Sequence, residues 1–130
     1  GFIGSPAMNF IPCELAEGAR LVGEDFDLAL PESRKSLVGG RAGEVELGVR
    51  PTEIAVVGEA KGQGRGRLSG VVEVSELMGS ETYLNVRLGE TMLTVRDEAH
   101  SAFGVGDRVE LEPDLERAHL FDRKSQETIF

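Results

Sequence analysis

The sequence predicts an all-β chain, an antiparallel meander or barrel with at most one short helix. Three observations predict it: apolar residues recur with period two, glycines punctuate the runs at short intervals, and helical periodicity is nearly absent. Successive side chains of a strand point to opposite faces, so a period of two buries one face and wets the other.

Residues 7–15 read as the first strand, and Phe26, Leu28 and Leu30 then alternate with Asp27 and Ala29. Residues 31–38 carry the one helical signal, two turns with Pro31 near the first helical position and Gly39-Gly40 stopping them. Val45, Leu47 and Val49 alternate with Glu44, Glu46 and Gly48. Arg50-Pro51 ends that strand, because proline has no N–H for the ladder, and a surface ion pair is expected for Arg50. Lys61, Gly62, Gln63, Gly64, Arg65, Gly66 and Arg67 offer little to bury, so a mobile loop is expected there, with a possible division of the chain at 61–67.

In the second half Leu68, Val72 and Val74 are expected on one face, with Val71, Glu73 and Ser75 opposite. Gly79-Ser80 suits a tight turn before Glu81 and Thr82. Leu84, Val86 and Leu88, then Leu93 and Val95, then Val109 and Leu111 continue the alternation. Some eight or nine short strands result, joined by hairpin-like connections.

The 130 residues suffice for one domain that buries roughly two thirds of its unfolded surface. With 40% hydrophobic and 28% charged residues the composition is that of a globular protein, and no apolar run approaches the ~20 residues of a membrane span. A soluble chain is expected. Cys13 is the single cysteine, which excludes an intramolecular disulfide and a CxxC pair and fits a reducing, cytoplasmic setting. The chain begins at Gly1 without a secretory signal and is expected to be a piece of a longer protein. A net charge of −9, no tryptophan and one tyrosine, Tyr83, speak against a nucleic-acid partner.

Chemistry of its own finds no support. Gly62, Gly64 and Gly66 are followed by a strand rather than a helix, unlike a dinucleotide loop, and no G-x-x-x-x-G-K-[ST] P-loop occurs. His100 and His119 lie far apart, so no metal site is expected; His100 reads as solvated and His119 as half-buried at a strand end with hydrogen-bonded ring nitrogens. Ser5, Ser69 and Ser80 lack a G-x-S-x-G context, and Cys13 reads as core rather than nucleophile. The many carboxylates read as a solvated acidic face. No catalytic, cofactor-binding or metal residue is assigned.

Three groups of residues carry more than composition. Gly1-Phe2-Ile3-Gly4-Ser5-Pro6-Ala7-Met8-Asn9-Phe10 is the first, and Leu47-Gly48-Val49-Arg50-Pro51-Thr52-Glu53-Ile54 the second. The third joins Val72-Glu73-Val74 and Leu77-Met78-Gly79-Ser80-Glu81-Thr82 to Glu116-Arg117-Ala118-His119-Leu120-Phe121-Asp122. In this order and at these separations the segments resemble the C-terminal regulatory domain of ATPase subunits in carbohydrate-importing ABC transporters of the maltose and glycerol-3-phosphate type. The second departs from that family's G-[IV]-R-P-E-H motif: Thr52-Glu53 stands where Glu-His is usual.

The resemblance implies an OB-fold-like, MOP-like transport-associated β-barrel over residues 1–130, following an ATP-binding domain that would hold ATP and Mg. It implies a non-catalytic role: pairing with a second copy of the subunit, positioning the ATPase domains below the permease at the inner face of the membrane, and receiving regulatory proteins or small ligands. The residues that carry the motifs, and so form the expected interface set, are Ser5, Met8, Asn9, Phe10, Arg50, Pro51, Glu53, Gly79, Ser80, Glu81, Thr82, Arg117, His119, Leu120 and Phe121. Among them Asn9 is expected to face the ATPase domain. The alternative is a barrel that senses an oxyanion or a sugar, against which the scarce aromatics and the negative charge both argue.

Overall fold

The computed structural model describes residues 7–61, 64–98 and 103–130. Ser5, Gly62, Gln63 and His100 lie outside the described residues. Ten strands, one α-helix and one 3-10 turn are present among the described residues. The strands are β1 (Asn9–Ala16), β2 (Arg20–Val22), β3 (Asp27–Ala29), β4 (Gly43–Val49), β5 (Ile54–Glu59), β6 (Leu68–Met78), β7 (Glu81–Leu88), β8 (Thr91–Asp97), β9 (Arg108–Pro113) and β10 (His119–Asp122), with α1 (Glu32–Val38) after β3 and the 3-10 turn (Pro51–Glu53) after β4.

They form two five-stranded antiparallel sheets, ordered β10-β4-β1-β2-β3 and β5-β9-β6-β7-β8. The chain changes sheet at residues 50–53 and returns after Pro113, while the glycine-rich stretch connects two strands of the same second sheet. The stretch at 61–67 thus lies between strands of one sheet, and the change of sheet falls at the proline turn. Prolines end ladders, whereas a glycine-rich stretch only lengthens a connection.

The alternating residues converge on one core. Ile11, Leu47, Val49, Leu84, Val86, Leu93, Val95, Val109, Leu111 and Leu120 are all buried, and the core is continuous across both sheets. At roughly 25 cal/mol per Å², this burial is the main stabilising contribution. Helix α1 sits where residues 31–38 predict it. Val38 is buried, while Arg34 donates to the carbonyls of Leu115 and Ala118 at 3.2 Å each and stacks 4.5 Å from the Phe130 ring centre. No helix among the described residues is long and apolar enough to cross a membrane.

Two expectations are corrected. Val74 is 41% exposed, because β6 carries a bulge: Val72 pairs with Val86 and Val74 with Asn85, so the extra residue reverses the alternation. The described part of the glycine-rich stretch is tied down. The Arg65 guanidinium donates to the carbonyls of Gly23, Glu24 and Phe26 at 3.1–3.3 Å, and the Asp27 N–H donates to the Arg65 carbonyl at 2.8 Å.

Asn9 joins the sheets. Its Nδ2 donates to the Thr94 carbonyl at 2.9 Å and its Oδ1 accepts the Thr94 N–H at 2.8 Å, so one carboxamide pairs with the β8 edge as a strand would. Cys13 is core, as expected, and burial pushes its thiol up to about 12.

Two predictions follow from this packing. Asn9→Ala strands a backbone donor and acceptor, and loses roughly 1–3 kcal/mol in urea unfolding. The Cys13 thiol binds its proton more tightly folded than unfolded. Its contribution to stability is therefore intact below about 9 and is lost as pH rises toward about 12. In alkaline denaturation Cys13→Ala flattens that arm, and the native thiol resists iodoacetamide until the chain unfolds.

Candidate functional site

The motif residues come together in two places. The first is the outer face of β1, β4 and β10, where the register sets Phe10, Gly48 and His119 in one row and Pro12, Glu46 and Phe121 in the next. The Phe10 and Phe121 rings lie 6.0 Å apart, and His119 and Phe121 6.3 Å apart, in tilted arrangements. Gly48 forms the floor: a Cβ there would stand 2.7 Å from Met8 Sδ, 2.9 Å from Phe121 Cε2 and 3.5 Å from Phe10 Cε1. Met8, Phe10, His119 and Phe121 thus make a patch over a glycine, and Phe10 remains 48% exposed. His119 is half-buried as expected, but its neighbour is an aromatic ring rather than a hydrogen-bond partner among the described residues.

The second place is an open cleft of about 840 Å³ at the seam of the sheets. Glu53 from the proline turn, Arg96, Asp97 and Glu98 from the end of β8, Glu112 from β9, and Asp114, Glu116 and Arg117 from the following turn line it. A smaller hollow adds Ser80 and Glu81 beside the same Arg96-Asp97-Glu98 edge. Arg96 holds this edge together, with Glu81 and Glu98 each at 2.7 Å. Partial desolvation alone would lower its guanidinium pKa, yet the two carboxylates raise it. The cleft carries six carboxylates against two guanidiniums. It favours a cation and repels an anion.

The remaining motif residues are structural. Arg50 and Glu53 close the proline turn, with Arg50 N–H donating to Glu53 Oε1 at 3.1 Å and the side chains paired at 3.6 Å, which is the expected ion pair. That also gives the unusual Glu53 a task in its own turn. Pro51 is buried there, and Leu120 lies in the core. Gly79, at φ 68°, opens the two-residue β6–β7 turn, and Thr82 stands opposite Asp97 on β8. Asn9 spends its carboxamide inside the molecule, on Thr94, rather than presenting it outward.

Sequence reasoning missed Asp97, which is 1% exposed at the cleft edge. The signal was present: Leu93, Val95 and Asp97 share one parity, so the alternation that buries the first two buries the third.

Comparison with known families fits this division into two sheets. The TOBE domain model matches residues 47–121, and the MalK OB fold domain model matches residues 4–54, so the two meet at the proline turn. The chain belongs to the TOBE domain family.

It is 31% identical over 135 residues to the multiple sugar-binding transport ATP-binding protein MsmK of Streptococcus mutans, covering 99% of this chain and 35% of that protein. It is 30% identical over 129 residues to the ABC transporter ATP-binding protein YcjV of Escherichia coli, covering 97% and 34%. The chain spans about a third of the length of the curated relatives it matches. Among solved structures it is similar to the molybdate-binding protein ModG, with a TM-score of 0.58 and 19% identity over 91% of this chain and 96% of that one, a likeness of fold.

Arg96→Met removes the cation that Glu81 and Glu98 share. It is expected to lower the thermal unfolding midpoint at low salt, by a difference that shrinks as salt is raised.

Proposed function

We propose that this chain is the non-catalytic regulatory and dimerising domain of the ATP-binding subunit of a sugar-type ABC importer. One observation carries the pairing: Met8, Phe10, His119 and Phe121, from motif segments at opposite ends of the sequence, converge over Gly48 as one exposed aromatic patch. A two-fold contact sets a surface against its own copy, so a charged patch would repel itself. On a chain of net charge −9 the four side chains over Gly48 bring no carboxylate of their own, and Glu46, in the row of Phe121, is the acid beside them.

Pairing holds two attached ATPase domains at high effective concentration, which is what such a domain contributes without chemistry of its own. In the longer protein the ATP and Mg chemistry would reside in the ATP-binding domain, and the assembly would lie at the cytoplasmic face of the membrane against its permease. MsmK and YcjV, ATP-binding proteins both, support this reading.

The alternative of an oxyanion sensor draws on the fold shared with ModG, but the cleft at the seam carries six carboxylates against two guanidiniums. Calorimetry with molybdate and sulfate is expected to give no heat, and micromolar binding of either would favour the sensor.

Light scattering over a concentration series tests the pairing. The molar mass is expected to rise from 14.0 kDa toward twice that value. Phe121→Ala and Phe10→Glu are each expected to raise the dimer dissociation constant about tenfold or more, equivalent to about 1.4 kcal/mol. A mass that stays at the monomer value throughout removes the self-pairing role.

A further inference from the structure

Every sheet edge carries backbone N–H and C=O groups that need partners, and an unguarded edge is a template for another strand. Of the four edge strands, β10, β3 and β8 each meet specific bonds. The outer side of β10 is bonded to the tail, with Leu120 N–H on the Phe130 carbonyl at 3.1 Å and Asp122 N–H on the Glu127 carbonyl at 2.9 Å. Arg65 covers β3 through the Asp27 N–H, and Asn9 covers β8 at Thr94. The far half of β6 is different. β9 accompanies β6 only over Leu68–Val71, and Asp107 and Gly106 add bonds to Val72 at 2.9 and 2.8 Å. From Glu73 to Met78 the strand pairs on one side alone, with β7, among the described residues.

The direction of the open groups follows from the turn. Met78 and Glu81 flank a two-residue connection and form its closing hydrogen-bonded pair, so Met78, Glu76 and Val74 bond toward β7. Ser75 and Leu77 therefore direct their N–H and C=O groups to the open side. The strip is also apolar where it is bare: Leu77 is 70% exposed, Val74 41%, and Val105, in the turn beside the edge, 74%. Its acids differ in their state. Glu73 is paired with Arg87 and Glu81 with Arg96, while Glu76 is exposed and has no ion pair among the described residues.

The geometry points to this edge as a docking site for an extended segment of a partner protein that alternates basic and apolar residues, added as a further strand beside Ser75 and Leu77. The backbone groups would supply affinity, Glu76 would select a basic residue, and Leu77 and Val105 would cover an apolar one. A second copy fits poorly, since antiparallel pairing of two β6 edges with Ser75 opposite Leu77 sets Glu76 of one directly opposite Glu76 of the other. The site is remote from the aromatic patch and does not rest on the pairing proposed there.

The probe is a short peptide alternating lysine and valine, titrated by fluorescence anisotropy against the whole chain, with a glutamate–valine peptide and a lysine–valine peptide N-methylated at alternate amides beside it. Saturable binding of the first is expected, about tenfold or more weaker for each of the others. Amide exchange should slow at Ser75 and Leu77. Ser75→Pro, which removes one open N–H without touching the β7 ladder, is expected to weaken binding by a similar factor. Glu76→Lys keeps the strand and is expected to reverse the preference between the two charged peptides, which keeps the test valid should the proline variant fold poorly. Phe121→Ala is expected to bind the peptide unchanged. No binding of the lysine–valine peptide overturns the proposal, as does equal binding of the N-methylated one or an unchanged preference in Glu76→Lys. A loss of self-association in Ser75→Pro without peptide also overturns it, in favour of a second copy.

Discussion

The carboxamide of Asn9 on the Thr94 backbone is the contact on which the two-sheet arrangement depends. Neither sheet closes by continuous pairing, so each has edges whose backbone groups must be satisfied in a largely desolvated setting, and leaving one unpaired costs roughly 1–3 kcal/mol. A side-chain amide carries the same donor and acceptor as a peptide group and can pair with an edge from a neighbouring sheet. Asn9 does this for β8, and fixes β1 against the second sheet at the start of the chain's first strand. Arg34 and Arg65 answer the same constraint elsewhere, each donating to three carbonyls of a turn that no strand reaches.

Because both sheets direct their aliphatic faces into one filled core, what remains for recognition is outside. The aromatic patch, the acidic cleft and the open half of β6 all lie on surfaces, and the first two are assembled from segments far apart in sequence. The charge distribution separates them: the cleft concentrates carboxylates, while the patch over Gly48 is made of apolar and aromatic side chains. A net charge of −9 distributed in this way leaves neutral contact possible at one face and invites cations at another.

Much of this was legible in the sequence, because period-two alternation is local. The buried faces of β4, β7, β8 and β9, the helix of residues 31–38 stopped by glycine, the proline turn and the Gly79 turn all stand where local rules place them. The failures share a cause. Val74 is exposed because a bulge at Glu73 shifts the register, and a bulge is chosen by the partner strand rather than by the residues beside it. β2 has three residues, too few to show a period. Arg65 and Asn9 find partners 39 to 85 positions away, so nothing near them announces the contact. Of the candidate sites, the sequence named most of the residues but could not sort them into patch, cleft and core, since that sorting is made by the pairing of β1, β4 and β10.

The cleft has a property the patch lacks. The chain crosses between the sheets at 50–53 and returns at 114–118, and the two crossings are bonded to each other: the Asp114 N–H donates to the Glu53 carbonyl at 2.7 Å. Arg34 of α1 holds the returning segment at Leu115, Glu116 and Ala118. Glu53, Asp114, Leu115 and Glu116 all line the cleft, so both crossings between the sheets pass along its wall. A force applied at the aromatic patch, on the first sheet, reaches the second through these crossings, through the Asn9 contact and through the shared core.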